Sequence, residues 1–191
     1  MSPRLKALAR QHAQTLSVSA TRSVSPPAGQ PVYLNFIMEP QRKSKWCWAA
    51  TSVSVSRFYH PASSWTQCAV AHKAFGGYGI CCVPLAGFVC NRYYFLDKAL
   101  SITGNFVIQS GILPFPAVEA ALRGGRVIGA RVQWQGGGGH FMAIHGCYDQ
   151  GTMQVLDIDD PIYGKSSVAE TVFLNSYQGR GSWSHSYHTK P

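Results

Sequence analysis

Between positions 46 and 59 the chain reads Trp-Cys-Trp-Ala-Ala-Thr-Ser-Val-Ser-Val-Ser-Arg-Phe-Tyr. Small and apolar residues dominate it, Ala50, Val53 and Arg57 share one helical stripe, and His60-Pro61 ends it. The pattern predicts a buried first helix. Further helices are predicted over about 66–75, 93–102 and 115–122, the last opened by Pro114 and Pro116 and closed by Gly124-Gly125. A β-branched and aromatic run at Val32-Tyr33-Leu34-Asn35-Phe36 predicts a strand that opens the folded domain. After Gly125 the period changes, and short strands are predicted over 127–132, 140–145, 154–158 and 168–174, separated by Gly or Asp turns. Helices first and strands afterwards argue for an α+β fold, an N-terminal helical lobe packed on a C-terminal antiparallel sheet with a cleft between them. The sequence contains no internal repeat.

Composition agrees with one packed domain: 46% of the 191 residues are hydrophobic and 13% charged, unlike a disordered or coiled-coil chain. No apolar run approaches the roughly 18–20 residues that would span a bilayer, so membrane insertion is not expected. The formal charge of +9 raises the question of nucleic acid. Its distribution answers against it, because residues 1–45 carry +6 and the remainder only +3. A basic leader on a nearly balanced body reads as an address or a solvated tail. Residues 1–30 end in Ser25-Pro26-Pro27-Ala28-Gly29, which cannot continue regular structure, so they are expected to be a flexible tail before a domain at 31–191. Within the tail, Leu5, Leu8, Ala9, His12 and Leu16 stand at helical spacing. The segment lacks the apolar core of a secretory signal but is compatible with a bacterial injection signal.

Four residues carry candidate chemistry. Cys47 falls where the first helix begins, beside unpaired backbone amides and the positive end of the helix dipole, surroundings that favour thiolates. A cysteine nucleophile needs an imidazole and an oxygen ligand to orient that imidazole. His140 follows four glycines, Gly136 to Gly139, at the start of a predicted strand, where a substrate backbone could approach closely. The neighbouring strand ends Asp157-Ile158-Asp159-Asp160-Pro161. Strand alternation puts Leu156, Ile158 and Asp160 on one face, the more apolar and therefore the core face. This selects Asp160 as the orienting carboxylate, with Asp159 as the fallback and Asp157 expected to face solvent. Gln41, six positions before Cys47, could join the Cys47 N–H in stabilising an oxyanion.

Gln41, then Trp46-Cys47-Trp48-Ala49-Ala50, then Gly139-His140-Phe141, then Asp160-Pro161 resembles the papain-like cysteine proteases. The likeness covers roughly 31–190 and is greatest to the short bacterial branch related to bacteriocin-processing peptidases and injected avirulence-type proteases. It implies Cys47 as nucleophile, His140 as general acid and base, Asp160 as orienting residue and Gln41 in the oxyanion hole. Papain has Asn at the position of Asp160, whereas Asp is usual in the bacterial branch. Residues 1–30 are too short and too polar to cover a cleft, so they are not expected to act as an inhibitory propeptide of the family's kind. The implied activity is a cysteine endopeptidase acting on protein or peptide substrates as a monomer, without a metal or organic cofactor, and secreted, periplasmic or delivered into another cell as an effector. The rival reading is a glutamine deamidase or transglutaminase-like toxin using the same apparatus.

Cys68, Cys81, Cys82 and Cys90 cluster away from Cys47 and Cys147. Adjacent Cys81 and Cys82 are unsuited to pair with each other, so Cys68 would pair with one of them and Cys90 with the other. Two bridges would indicate an oxidising destination. A zinc site that includes His72, or simple reduced cysteines, are the competing readings. Similar spacings in the resembling branch favour a structural role. Cys147 and His145 are expected to be structural, His185 and His188 to have surface or packing roles, and Trp46 and Trp48, which flank Cys47, to be packing residues, with a role for one of them in walling the cleft as the alternative.

Overall fold

The computed structural model describes residues 30–76, 79–84 and 87–191. The tail expected over 1–30, with its amphipathic turns, lies outside the described residues apart from Gln30. The first helix, α1 (Cys47–Tyr59), is buried without interruption from Cys47 to Ser56. Serines can occupy such a helix because their hydroxyls find internal acceptors: Ser52 donates to the Ala49 carbonyl and Ser54 to that of Ala50. Helix α2 (Gln67–Phe75) is capped by the Thr66 hydroxyl, which accepts the Ala69 N–H, and ends at Gly76 in the left-handed conformation. Helix α3 (Leu96–Thr103) completes the lobe. It begins later than the pattern predicts: Tyr93 and Tyr94 lie outside regular structure, and Phe95 is extended.

Strands β1 (Val32–Tyr33), β2 (Phe106–Ser110), β3 (Ile128–Trp134), β4 (Gly139–Asp149), β5 (Gln154–Asp160), β6 (Gly164–Ala169) and β7 (Gly181–Thr189) form one antiparallel sheet. Its order is β2-β7-β3-β4-β5-β6, with β1 paired to β4 beyond the end of β3. Alternate residues of β4 enter two cores. Phe141 and Ala143 pack with Trp46, Ala50 and Leu100 of the helical lobe. Met142 and Ile144 pack with Val118 and Leu122 of α4 (Phe115–Arg123) and Phe173 of α5 (Glu170–Asn175).

The α+β reading therefore stands, with one addition: helices cover both faces of the sheet. The expectation that Asp157 faces solvent is overturned: it is buried beside Gly146 and Tyr33 and accepts a hydrogen bond from Ser167. The strand expected over 168–174 is also corrected, since β6 stops at Ala169 and Phe173 enters the second core from a helix. Two strands fall outside the predicted pattern. Strand β2 lies at the sheet edge, and β7 reads Gly-Ser-Trp-Ser-His-Ser-Tyr-His-Thr yet is held between β2 and β3.

Candidate active site

Two elements from opposite ends of the domain meet at Cys47. Trp46 caps α1, its backbone N–H donating to the Lys43 carbonyl at 3.0 Å, so Cys47 is the first helical residue. The Cys47 N–H therefore has no intrahelical carbonyl to reach, and the positive end of the helix dipole falls on this turn. The thiol belongs to a free, buried cysteine. Two indole donors fix the turn from outside: Trp46 Nε1 donates to the Cys90 carbonyl at 2.8 Å and Trp48 Nε1 to that of Arg92 at 3.1 Å.

His140 stands at the beginning of β4, opposite Val132 of β3. Its Nε2 lies 2.9 Å from Asp160 Oδ1 at the end of β5. Burial alone would lower the imidazole pKa, but hydrogen bonds to Asp160 and Cys47 and the charges of both outweigh it and raise the value from 6.5 to about 9. With Nε2 committed to Asp160, Nδ1 is the nitrogen left for the thiol.

Asp160 is held on every side. Oδ1 also accepts the backbone N–H groups of Ile162 at 2.7 Å and Tyr163 at 3.0 Å, an arrangement permitted by the turn after Pro161. Oδ2 accepts the Tyr177 hydroxyl at 2.9 Å. Burial opposes the charge on Asp160, but the His140 bond and these donors overcome it and lower the carboxyl pKa. The competing carboxylate, Asp159, points elsewhere, accepting the Met38 N–H at 2.9 Å and lying 3.9 Å from Lys165 Nζ.

Aromatic rings screen this pair. Trp134 stacks on His140 at 5.9 Å and 19°, the Arg180 guanidinium lies over the Trp134 ring at 5.3 Å, and Tyr163 meets His140 edge-on at 6.3 Å. Exclusion of water strengthens the His140–Asp160 bond. Trp134, Tyr163 and Tyr177 were not singled out in the sequence. The Asp-Pro turn was a signal for Tyr163, but nothing local distinguished Trp134 or Tyr177.

Gln41 is placed differently from the other three. Its backbone N–H donates to the Pro161 carbonyl at 3.0 Å, tying this loop to the end of β5. Its side-chain Nε2 donates to the Lys43 carbonyl at 2.9 Å, while Oε1 is buried without a partner. Among the described residues no hydrogen bond joins Gln41 to Cys47. The glycines before His140 also have a local role, because Gly136, Gly137 and Gly138 adopt φ of 90°, 103° and 80°, which side chains resist.

The remaining cysteines form Cys68–Cys82 and Cys81–Cys90. His72 Nε2 accepts the Cys81 N–H at 2.8 Å, and no group of metal-binding side chains occurs among the described residues. Cys147 is free and buried, and burial pushes its thiol up to about 12. His145 faces the Leu34 carbonyl at 3.3 Å and stacks on Phe36. His185 and His188 lie on β7 against Ser184 and Ser110.

No protein-family model and no curated protein matches the chain. Among solved structures it is similar to a Bacillus anthracis protein described as a C39-like peptidase, with a TM-score of 0.55 and 14% identity over 83% of this chain and 97% of that one. At that identity the likeness concerns the fold, which is the papain-like arrangement of helical lobe and antiparallel sheet.

Proposed function

We propose that the chain is a cysteine endopeptidase that hydrolyses peptide bonds through Cys47, His140 and Asp160. The observation that carries this reading is the hydrogen bond from His140 to a carboxylate that also accepts from Ile162, Tyr163 and Tyr177, with the Cys47 thiol at a helix start close enough to help raise the imidazole pKa. The likeness in fold to a C39-like peptidase supports it. In this reading His140 takes the thiol proton, and the Cys47 sulfur attacks the carbonyl carbon of the scissile amide. The oxyanion is met by the Cys47 N–H and by the second N–H of the Gln41 amide. His140 returns the proton to the leaving amine, which departs and leaves a thioester on Cys47. Water, deprotonated by His140, then attacks the thioester and releases the acid. Asp160 keeps the imidazole in the productive tautomer and offsets its charge.

Residues 31–191 would form the peptidase unit. Two disulfides support an oxidising destination, in keeping with a secreted or delivered enzyme. Incubation with a peptide library, read by mass spectrometry, tests the activity. New termini that appear with the wild type and not with Cys47→Ala are expected. Ammonia release without new termini would replace the reading with the glutamine deamidase or transglutaminase-like one.

A further inference from the structure

Beside Cys47 lies a pocket of about 210 Å³, walled by Trp48, Tyr94, Phe95 and Phe141 and rimmed by Gly138 and Gly139. It is smaller than the roughly 300–1,000 Å³ of sites that enclose whole small ligands, and suits one side chain of an extended chain. Arg131 is the one residue of its lining that carries a fixed charge. The guanidinium crosses from β3 and lies directly on Gly139, so closely that a Cβ there would come within 2.6 Å of Nη2. With a larger residue before His140 the guanidinium would have to shift.

The partners of that guanidinium are neutral. Nη1 donates to Ser184 Oγ at 2.9 Å and Nη2 reaches the Gly138 carbonyl at 3.4 Å. Among the described residues no carboxylate lies within ion-pair distance of it. A guanidinium has five donors and never loses its charge, so one whose protein partners are neutral retains donors and charge for a bound carboxylate. Beyond Arg131 the cleft continues into a depression of about 540 Å³ that shares Phe95 and Phe141 and adds Lys98 and His185. Its one carboxylate, Asp97, is answered by Lys98 at 3.6 Å. Lys98 and Asp97 offset one another there, which leaves Arg131 as the uncompensated charge between the two hollows.

We propose that Arg131 is a specificity residue, receiving the carboxylate of an Asp or Glu side chain of the substrate in the pocket beside Cys47. The proposal rests on the peptidase reading of the same site. It is tested by the rate at which peptidyl electrophiles label Cys47, compared between probes that differ only by Glu against Gln at each position flanking the reactive carbon, with both termini blocked. Blocked termini separate a side-chain carboxylate from a chain end, and a neutral probe with a free C-terminus forms the second arm.

The wild type is expected to prefer Glu by at least about tenfold at one position, the scale of a charge-assisted hydrogen bond. Arg131→Gln should bring that ratio towards one, Arg131→Lys should keep a preference for Glu, and Arg131→Glu should reverse it in favour of a Lys probe. The reversal is a gain that a misfolded variant cannot produce. Equal labelling by Glu and Gln probes in the wild type, a ratio that survives Arg131→Gln, or preference confined to the free C-terminus would overturn the proposal. Failure of every peptidyl probe while a small alkylator still modifies Cys47 would instead bring down the peptidase reading, and the proposal with it.

Discussion

The hydrogen bonds of His140 determine how the site should respond to pH. Its pKa is raised to about 9, with bonds to Asp160 and Cys47 overcoming the effect of burial. A raised basic group stabilises the fold fully below its ordinary 6.5 and ceases to do so as pH climbs through about 9. The alkaline limb of kcat/KM should therefore fall near pH 9, and Asp160→Asn, which removes the charge that supports the imidazolium, should move that limb to lower pH. An unchanged limb in the Asn variant would show that Asp160 does not act on His140. Asp160→Asn should also cost less activity than His140→Ala, because it removes orientation and charge but not the proton carrier. Tyr177→Phe leaves a buried carboxylate oxygen unpaired and should cost about 1–3 kcal/mol, readable as a fall of a few degrees in Tm. At this scale the positions of Cys47, His140 and Asp160 in the fold could be read, because each stands at the start or end of an element that its neighbours define. Those of Tyr177 and Trp134 could not, since their roles exist only once distant strands meet.

The elements show a second level of design, in which the disulfide segment braces the helix start that carries Cys47. Cys90 is bridged to Cys81, its carbonyl accepts Trp46 Nε1, Asn91 Oδ1 accepts the Lys45 N–H at 3.1 Å, and the Arg92 carbonyl accepts Trp48 Nε1. The next three residues, Tyr93 to Phe95, line the pocket beside Cys47. Replacing Cys81 and Cys90 by Ser should lower stability by about 2–3 kcal/mol in denaturant titrations and raise KM for peptides, as the wall loosens. A variant with unchanged KM would mean that the pocket wall stands without its bridge. The sequence narrowed the pairing to two connectivities and left metal binding and reduced thiols open, because spacing does not say which way adjacent Cys81 and Cys82 point. Periodicity failed for β7 for a related reason: its serines and histidines satisfy the sheet as well as apolar residues would, and Trp183 and Tyr187 alone supply its buried bulk. It failed for 168–174 because β-branched residues there join a strand end to a helix start.

At the scale of the molecule, the α+β architecture brings Cys47 from the N-terminal lobe against His140 and Asp160 from the sheet, and neither lobe holds the apparatus alone. Alternation within β5 picked out Asp160 although its premise, a sheet with one open face, does not hold. Asp160 differs from Asp159 through the Asp-Pro turn that surrounds it with donors, and Asp159 is committed to the Met38 backbone. The most direct test of the account is the rate of alkylation of each cysteine by a small electrophile at neutral pH, resolved by peptide mass spectrometry in the wild type and in His140→Ala. Cys47 should react first and slow by at least about tenfold without the imidazole, while Cys147, buried with its thiol pushed up to about 12, should stay unmodified in both. Equal reactivity of Cys47 in the two proteins would contradict the pairing on which the proposed chemistry depends.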